Sequence, residues 1–402
     1  MSPPVPAGLP SDGSAPQRPS VSFDTRKLDA LMAEEGLDIL LVTSKHNVGY
    51  LLGGYRFFFY SAIDAHGLSR YLPILIYVRG APDLTTYVAS PMEQYETHKF
   101  WPETLRWILP TTEHAARAAI DEVRRLRPKP GRIGVEMGFL PADAYRAMAD
   151  AFGADAIVNA TFTLELLRAV KTPTELARLR NASEQVVEAM LSVFAAHGEG
   201  ATKIDIARAL RREEERRGLD FDYCLINMGM DPSRAPSEQA WRPGEILALD
   251  SGGNDAGYIG DLCRMAVLGD ADAELHDLLA EIEAIQQAAR QPIRAGTPGQ
   301  AIFAAVEPLV ERSAHRTTLD FAAHGMGIVS HEAPWLSDRM AVPYPGYHAD
   351  RPLESGMVIS IETTLKHPKR GFIKLEDTVA VTETGCEAFG DGGRDWNHGR
   401  RT

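Results

Sequence analysis

Four acidic residues and one histidine stand out in the C-terminal half of the chain, because each belongs to a short apolar run. The runs are ILALD, YIGDLCRM, FAAHGMGI, MVISIE and FIKLED, and the residues are Asp250, Asp261, His324, Glu362 and Glu376. Such runs are typical of buried strands, where an unpaired carboxylate is costly. Arg264 and Lys374 are the basic residues close to these acids in the sequence. The shortage of basic partners predicts that metal neutralises the acids.

Any one of these acids, taken alone, is equally well explained by a buried ion pair. Four carboxylates and an imidazole together favour a metal site, and such a ligand set suits manganese, cobalt, iron or zinc. Two ions that share bridging carboxylates need about this many anionic ligands. We therefore expect two divalent ions, with manganese as the first assignment and cobalt, zinc or iron as alternatives.

The spacing of these residues predicts chain reversals that bring them together. Asp250 and Asp261 flank the stretch SGGNDAGYIG, whose Gly and Asn residues favour a turn. Glu362 and Glu376 flank a segment in which KHPKRG is the predicted loop between two strands. A second histidine, His331, follows in HGMGIVSHE, where the glycines allow a tight, non-helical path.

Length and composition limit the class of protein. A chain of 402 residues is long enough for two domains. The net charge of −13 argues against nucleic acid or an anionic membrane as the main partner. No apolar run is long enough to span a membrane. Three unpaired cysteines predict free thiols in a reducing compartment, and residues 1–22 predict a disordered tail and not a signal peptide. The expected location is the cytoplasm.

The pattern of elements predicts two domains, 23–168 and 169–402. Helices (24–36, 112–126, 141–152) alternate with strands (38–44, 73–78, 85–90, 132–136, 156–160), which indicates a sheet with helices packed on it. A capping box at Thr172 predicts the start of a long helix, and strands dominate after about residue 220. The aromatic stretch 55–60 fits a core or a subunit interface, or reaches into a site where Arg56 pairs with a substrate carboxylate.

The stretches ILALDSGG…GYIGDLCRM, HGMGIVSHE, MVISIETT and KLEDTVAVTETG, in this order, resemble the pita-bread metallopeptidase superfamily, in its prolidase, aminopeptidase P and creatinase branch. GLDILLVTSKHNVGYLLG resembles the smaller N-terminal domain of that branch. The resemblance covers roughly residues 24–390. It implies an α/β (α+β) chain, with a creatinase-like N-terminal domain before a pita-bread catalytic domain, and a homodimer.

The resemblance also implies a role for each metal ligand. Asp250 and Asp261 would bind the first ion, and Asp261 and Glu376 would bridge to the second. His324 and Glu362 would complete the second ion's ligands. A hydroxide that bridges the ions would be the nucleophile.

Further residues receive catalytic and binding roles from the same resemblance. Glu362 would accept the proton, and His331 would polarise or protonate the reacting group, with a structural hydrogen bond as its alternative role. Tyr258 and Arg264 flank Asp261 and would either support the metal ligands or be structural residues. Tyr258, His331 and Arg56 are the predicted substrate-binding set.

One departure from the superfamily bears on the reaction. Its peptidases carry another histidine in the loop before the first metal aspartate, where it helps to stabilise the peptide transition state. The corresponding stretch here, GMDPSRAPSEQAW (229–241), has no histidine, has Pro236 near the expected place, and is about three residues shorter. This difference puts peptide cleavage in question and leaves the metal ligands unaffected.

Three functions follow as hypotheses. The first is a dinuclear-metal hydrolase that cleaves the peptide bond next to proline, as Xaa-Pro aminopeptidases and dipeptidases do. The second keeps the fold and the metals but acts on a small non-peptide substrate, as the ectoine-hydrolysing and dimethylsulfoniopropionate-cleaving relatives do. The third is a non-catalytic binding protein, against which the complete ligand set argues. The substrate, the metal and the oligomer size stay open.

Overall fold

The computed structural model describes residues 18–60, 70–108, 111–338 and 345–400. Most of the predicted tail (1–17) lies outside these ranges. The chain separates into two compact units, Met1–Leu167 and Arg168–Thr402. In the part of the chain that is described, no helix is both long enough and apolar enough to cross a membrane.

The N-terminal unit contains a six-stranded mixed sheet in the order β4-β3-β2-β1-β5-β6. The strands are β1 (Leu37–Val42), β2 (Ile74–Val78), β3 (Thr86–Ala89), β4 (Thr104–Trp107), β5 (Arg132–Val135) and β6 (Ile157–Asn159). The helices are α1 (Thr25–Glu34), α2 (Lys45–Leu51), α3 (Thr112–Leu126), α4 (Ala142–Phe152) and α5 (Thr161–Arg168). The predicted alternation of helices and strands is confirmed, while α2, α5 and β4 were not predicted.

Both faces of this sheet are buried, which explains why its strands are apolar throughout. In β1, Leu40 and Val42 pack in one cluster with Leu28 of α1. Ile39 and Leu41 point the other way, into a cluster with residues of α3 and α4. Successive side chains of a strand face opposite sides, so a central strand covered by helices on both sides has no polar face.

The C-terminal unit contains an eight-stranded sheet whose main path is β10-β11-β12-β9-β8-β7, with β13 on β12 and β14 on β9. The strands are β7 (Asp220–Met228), β8 (Ile246–Asp255), β9 (Tyr258–Val267), β10 (Leu319–Gly325), β11 (Val358–His367), β12 (Gly371–Val381), β13 (Cys386–Phe389) and β14 (Asn397–His398). The helices are α6 (Pro173–Ala196), α7 (Lys203–Arg216), α8 (Ala273–Arg290) and α9 (Gln300–Arg312). The predicted capping box at Thr172 is present at the start of α6.

Helices cover one face of this sheet. Leu247 and Leu249 of β8 pack with α6 and α7 residues in one apolar cluster. Gln286 of α8 donates to the carbonyl oxygen of Ile361 and to the carboxylate of Asp377, at 3.0 and 2.8 Å. Leu247, Leu249 and Asp377 occupy odd-numbered positions of β8 and β12. The even-numbered side chains of these two strands therefore face the opposite side of the sheet.

Both predicted chain reversals are present, but each lies several residues from the acids. Strand β8 continues beyond the apolar run ILALD to Asp255, and the turn predicted in SGGNDAGYIG lies at Ala256 and Gly257. Strand β11 continues to His367, and the loop predicted in KHPKRG lies at residues 368–370. The acids therefore lie in the middle of long strands, where their backbones are held on both sides by neighbouring strands.

Candidate metal centre

The register of four neighbouring strands places three of the predicted acids in one row. Asp250 of β8 pairs with Cys263 of β9, and Cys263 pairs with Glu376 of β12. Glu376 in turn lies directly opposite Glu362 of β11. Directly paired residues point to the same face of a sheet, so the row faces away from the covering helices.

The other two predicted ligands lie one step further along the same face. Asp261 is opposite Gly252, and His324 is opposite Ser360. Gly252 is two residues from Asp250 on β8, and Ser360 is two residues from Glu362 on β11. Side chains two residues apart on a strand face the same side, so Asp261 and His324 share the face of the row. The sheet thus brings together all five residues predicted as ligands.

Three of these five residues form a compact cluster of possible ligand atoms. One ligand atom each from Asp261, His324 and Glu376 lie within 4.8 Å of one another, and all three residues are buried. Nε2 of His324 is 3.9 Å from one oxygen of Glu362 and 3.9 Å from one oxygen of Glu376. Two carboxylates and an imidazole at this separation suit a divalent cation.

His324 is set up as a neutral ligand. Its Nδ1 lies 3.2 Å from the carbonyl oxygen of Gly325, so a proton on Nδ1 leaves Nε2 with a free lone pair. Nε2 is buried and has no hydrogen-bond partner among the described residues. Burial, together with the neighbouring His331, lowers the pKa of His324 to about 4. A buried lone pair beside carboxylates fits a metal ligand, because a bound metal ion would accept the lone pair and neutralise the carboxylates.

The carboxylate of Asp261 has a partner that the sequence did not reveal. Tyr223 of β7 donates a hydrogen bond to it. Burial, reinforced by the charge of Asp250, raises the pKa of Asp261 to about 7. Burial also raises the pKa of Glu376, helped by the charge of Asp261. Burial and the neighbouring carboxylates thus both disfavour the ionised forms of these two acids.

A lysine supplies one cation inside the row. Lys374 lies two residues before Glu376 on β12, and its Nζ is 2.6 Å from Asp250 Oδ2, 2.8 Å from Glu376 Oε2 and 2.5 Å from Glu362 Oε2. Burial alone would raise the pKa of Glu362, but the charge and hydrogen bond of Lys374, together with His324 and His331, outweigh burial and bring the pKa to about 2. The expectation that the acids lack a basic partner was therefore wrong.

The loop before β8 supplies a second cation. Arg234 donates to Asp250 Oδ2, and its guanidinium carbon lies 5.0 Å from the ring centre of Phe372. Pro236 was noted as the residue near the place of the superfamily's loop histidine, but Arg234 is the residue of loop 229–241 that reaches the acids. An irregular loop gives no periodicity from which this contact could be predicted.

His331 lies beside the cluster and faces a cavity. Its ring stacks on that of His324, with centroids 3.7 Å apart and an angle of 14° between the planes. His331 and Glu362 both line a cavity of about 990 Å³ in the C-terminal unit. Burial lowers the pKa of His331, so it is mainly neutral at pH 7. His331 and Glu362, the two residues predicted to be catalytic, thus lie beside the cluster and also line the cavity.

The remaining predicted residues lie elsewhere. The hydroxyl of Tyr258 donates to Glu175 at 2.9 Å, near the start of α6. Arg264 faces the helix-covered side of the sheet, where it pairs with Asp377 at 3.2 Å. Arg56 belongs to the N-terminal unit and its side chain is exposed. The structural role foreseen for Arg264 is therefore the one observed, and substrate contact by Tyr258 and Arg56 stays a prediction.

Comparison with known proteins identifies the family. The profile of metallopeptidase family M24 matches residues 177–383, which is more than half of the chain. The chain belongs to metallopeptidase family M24. The profile of the creatinase/prolidase N-terminal domain matches residues 25–170. The chain is thus a hydrolase of the pita-bread, Xaa-Pro peptidase-like branch, and membership of M24 implies a peptide substrate and divalent metal.

Relatives with curated names agree with this assignment. The probable dipeptidase PepE of Mycobacterium tuberculosis (strain ATCC 25618 / H37Rv) is 27% identical over 89% of this chain and 91% of the relative. The Xaa-Pro dipeptidase of Lactobacillus delbrueckii subsp. lactis is 22% identical over 90% of this chain and 95% of the relative. These comparisons favour a prolidase-type peptidase over the small-molecule alternative.

A solved structure shows the same fold. The Xaa-Pro dipeptidase from Bacillus anthracis superposes with a TM-score of 0.79, covers 93% of this chain and 98% of its own, and is 19% identical. The predicted α/β chain with a creatinase-like domain before a pita-bread domain is confirmed.

Proposed function

We propose that the chain is a metal-dependent Xaa-Pro dipeptidase, which hydrolyses the peptide bond before proline in a dipeptide. The observation that carries this proposal is the cluster of Asp261, His324 and Glu376, which has ligand atoms within 4.8 Å and an unpartnered buried Nε2. Support for a dipeptide substrate comes from relatives that are named dipeptidases and that match this chain over almost their whole length. The domain limits 23–168 and 169–402 are part of the proposal.

Asp261, His324 and Glu376 would hold an ion, with Glu362 beside them and Asp250 in the same row. A bound divalent ion would supply Lewis-acid chemistry, which lowers the pKa of water and polarises a carbonyl group. Manganese as that ion, a homodimer and a cytoplasmic location stay predictions. The number of ions was predicted as two, and the arrangement of the basic side chains bears on it.

The chain's own residues would move the protons. Glu362 is ionised at neutral pH, because its pKa is about 2, and it borders the cavity, so it can accept a proton from attacking water. His331 is mainly neutral and its ring stacks on a ligand, so it is well placed to donate a hydrogen bond to the carbonyl oxygen or to the leaving nitrogen. The base thus comes from strand β11, and the proton donor comes from the loop that follows β10.

Peptide hydrolysis tests the proposal directly. Metal-stripped protein is reconstituted with Mn²⁺ or Co²⁺ and offered Xaa-Pro dipeptides and Xaa-Pro-Yaa tripeptides, with products read by mass spectrometry. We expect metal-dependent release of proline from the dipeptides. Asp261→Ala should abolish it, whereas Asp255→Ala, which removes an acid from the far end of β8, should retain it.

Other products would change the conclusion. Release of the first residue from tripeptides, with the dipeptides left intact, would replace the dipeptidase by an aminopeptidase. A protein that binds metal and cuts none of these peptides would refute the proposal. In that case small non-peptide substrates would be the next to test.

A further inference from the structure

The two oxygens of each paired glutamate face different neighbours. One oxygen of each, Oε1, lies 3.9 Å from His324 Nε2, and Oε1 of Glu376 also accepts a hydrogen bond from Ser360 at 2.9 Å. The other oxygen of each, Oε2, faces the ammonium of Lys374, at 2.5 Å for Glu362 and 2.8 Å for Glu376. The Oε1 side therefore has an imidazole nitrogen whose lone pair has no hydrogen-bond partner among the described residues, and the Oε2 side already has a cation.

The aspartate that would hold the other ion is on the side of the lysine. Oδ2 of Asp250 is 2.6 Å from Lys374 Nζ and also accepts a hydrogen bond from Arg234. Asp250 is 2% exposed. An ion that used Asp250 Oδ2 and Glu376 Oε2 would need the same oxygens that now contact the ammonium. It would also lie against that like charge, which is strongly unfavourable in a buried site.

The balance of charge leads to the same result. The four acids of the site, fully ionised, carry four negative charges, and Lys374 and Arg234 carry two positive charges. One divalent ion brings the sum to zero, whereas two divalent ions would leave an excess of two positive charges in a largely buried region. Buried charge that lacks compensation is costly, so the first arrangement is favoured.

We propose that the centre holds a single divalent ion, at Asp261, His324 and Glu376, and that the ammonium of Lys374 takes the place of a second ion. Lys374 and Arg234 together neutralise Asp250, which makes it a partner of basic side chains and not a ligand. The inference rests on the metal dependence in the proposed function and replaces the two ions predicted from the sequence with one ion and one lysine.

The unmodified protein gives the first test. Metal-stripped protein is dialysed against excess Mn²⁺, freed of loosely bound metal, and the ions per chain are counted by inductively coupled plasma mass spectrometry. We expect one ion per chain, and an electron paramagnetic resonance spectrum of an isolated Mn²⁺ ion without the exchange coupling of a bridged pair. Two tightly bound ions would overturn the inference but leave the proposed function intact. No bound ion would overturn both.

A lysine substitution gives the second test. Lys374→Met removes the ammonium and frees Asp250 Oδ2 and Glu376 Oε2, so the count should rise from one ion to two, and coupling between the ions should appear. Lys366→Met is the matched control, because Lys366 is exposed on the adjacent strand β11 and should leave the count at one. A folded Lys374→Met protein that still holds one ion would contradict the inference.

An aspartate pair keeps the inference testable if Lys374→Met does not fold. Asp250→Asn should retain the single ion, while Asp261→Asn should lose it, because only Asp261 is assigned as a ligand. In a centre with two ions, both substitutions would lower the metal content. Loss of metal in Asp250→Asn would therefore contradict the inference. Circular dichroism spectra and thermal unfolding confirm that each variant is folded.

Discussion

The ring of Tyr223 lies over Gly252, so closely that a Cβ atom on residue 252 would come within 2.3 Å of Tyr223 Cε1. The hydroxyl of the same tyrosine donates a hydrogen bond to Asp261, which lies opposite Gly252 on β9. The glycine thus makes room for the ring that positions a metal ligand. A glycine inside a strand often marks such a close approach.

Replacing this glycine should disturb the metal centre. In Gly252→Ala the methyl group would displace the Tyr223 ring and its hydrogen bond to Asp261, so we expect lower metal affinity and a loss of about 1–3 kcal/mol in the free energy of unfolding. Metal titration and chemical denaturation measure the two effects. Gly138→Ala, where a Cβ meets nothing within 4 Å, is the control. An equally small effect of both substitutions would show that the ring does not depend on Gly252.

Much of the site could be predicted from residue types and periodicity. The apolar runs identify the strands, and the five residues occupy one face because β8, β9, β10, β11 and β12 are in register. The alternation of side chains along a strand could also have predicted which face two basic residues occupy. Lys374 is two positions before Glu376 and shares its face, whereas Arg264 is three positions after Asp261 and faces the opposite side.

Two features could not be read from the sequence. The turn predicted after Asp250 lies at Ala256 and Gly257, but Gly252 and Gly253 belong to β8, where added Cβ atoms would collide with Tyr223 and with Val186. Packing from distant parts of the chain, which local propensity does not contain, sets their conformation. Arg234 reaches Asp250 from an irregular loop, and no pattern of spacing predicts the direction of such a side chain.

The two stacked histidines should respond differently to substitution. His324→Asn removes the buried Nε2 lone pair, so we expect loss of bound metal and of activity. His331→Asn should keep the metal and lower kcat by about 10²–10⁴-fold, because a positioned proton donor is lost. Metal content and steady-state kinetics on an Xaa-Pro dipeptide separate the two roles. If His331→Asn retained wild-type kcat, its role would be structural and not catalytic.

A buried glutamate should make the stability of the protein depend on pH. Burial raises the pKa of Glu214 from 4.5 to about 8, although Ser251 donates a hydrogen bond to it at 2.9 Å. Between these two pH values the folded state keeps a proton that the unfolded state releases, so the free energy of unfolding falls as pH rises from about 5 to 8. The loss is on the order of 2–4 kcal/mol.

Substitution of this glutamate tests that dependence. Glu214→Gln carries no titratable group, so its unfolding free energy should change less between pH 5 and pH 8 than that of the wild type, with the largest relative gain at pH 8. Urea denaturation at several pH values measures the difference. Glu215→Gln, on the neighbouring exposed residue, should retain the wild-type dependence. A Glu214→Gln curve parallel to that of the wild type would show that Glu214 is ionised in the folded protein.

On the helix-covered side of the sheet, one aspartate is surrounded by arginines. Asp377 is 1% exposed and pairs with Arg264 at 3.2 Å, with Arg290 at 3.1 Å and with Arg394. Burial alone would raise its pKa, but Arg264 and Arg394 outweigh burial and bring it to about 2. Its negative charge is therefore kept in the folded state at every pH near neutrality.

Removing that charge should destabilise the fold without touching the metal ligands. Asp377→Asn leaves buried guanidinium groups without their central carboxylate, and we expect a loss of about 3–5 kcal/mol in the free energy of unfolding at pH 7. Asp391→Asn is the matched control, because Asp391 pairs with Arg290 and Arg394 but its side chain is 47% exposed. It should cost about 1 kcal/mol or less. Equal costs for the two substitutions would show that burial does not set the strength of these pairs.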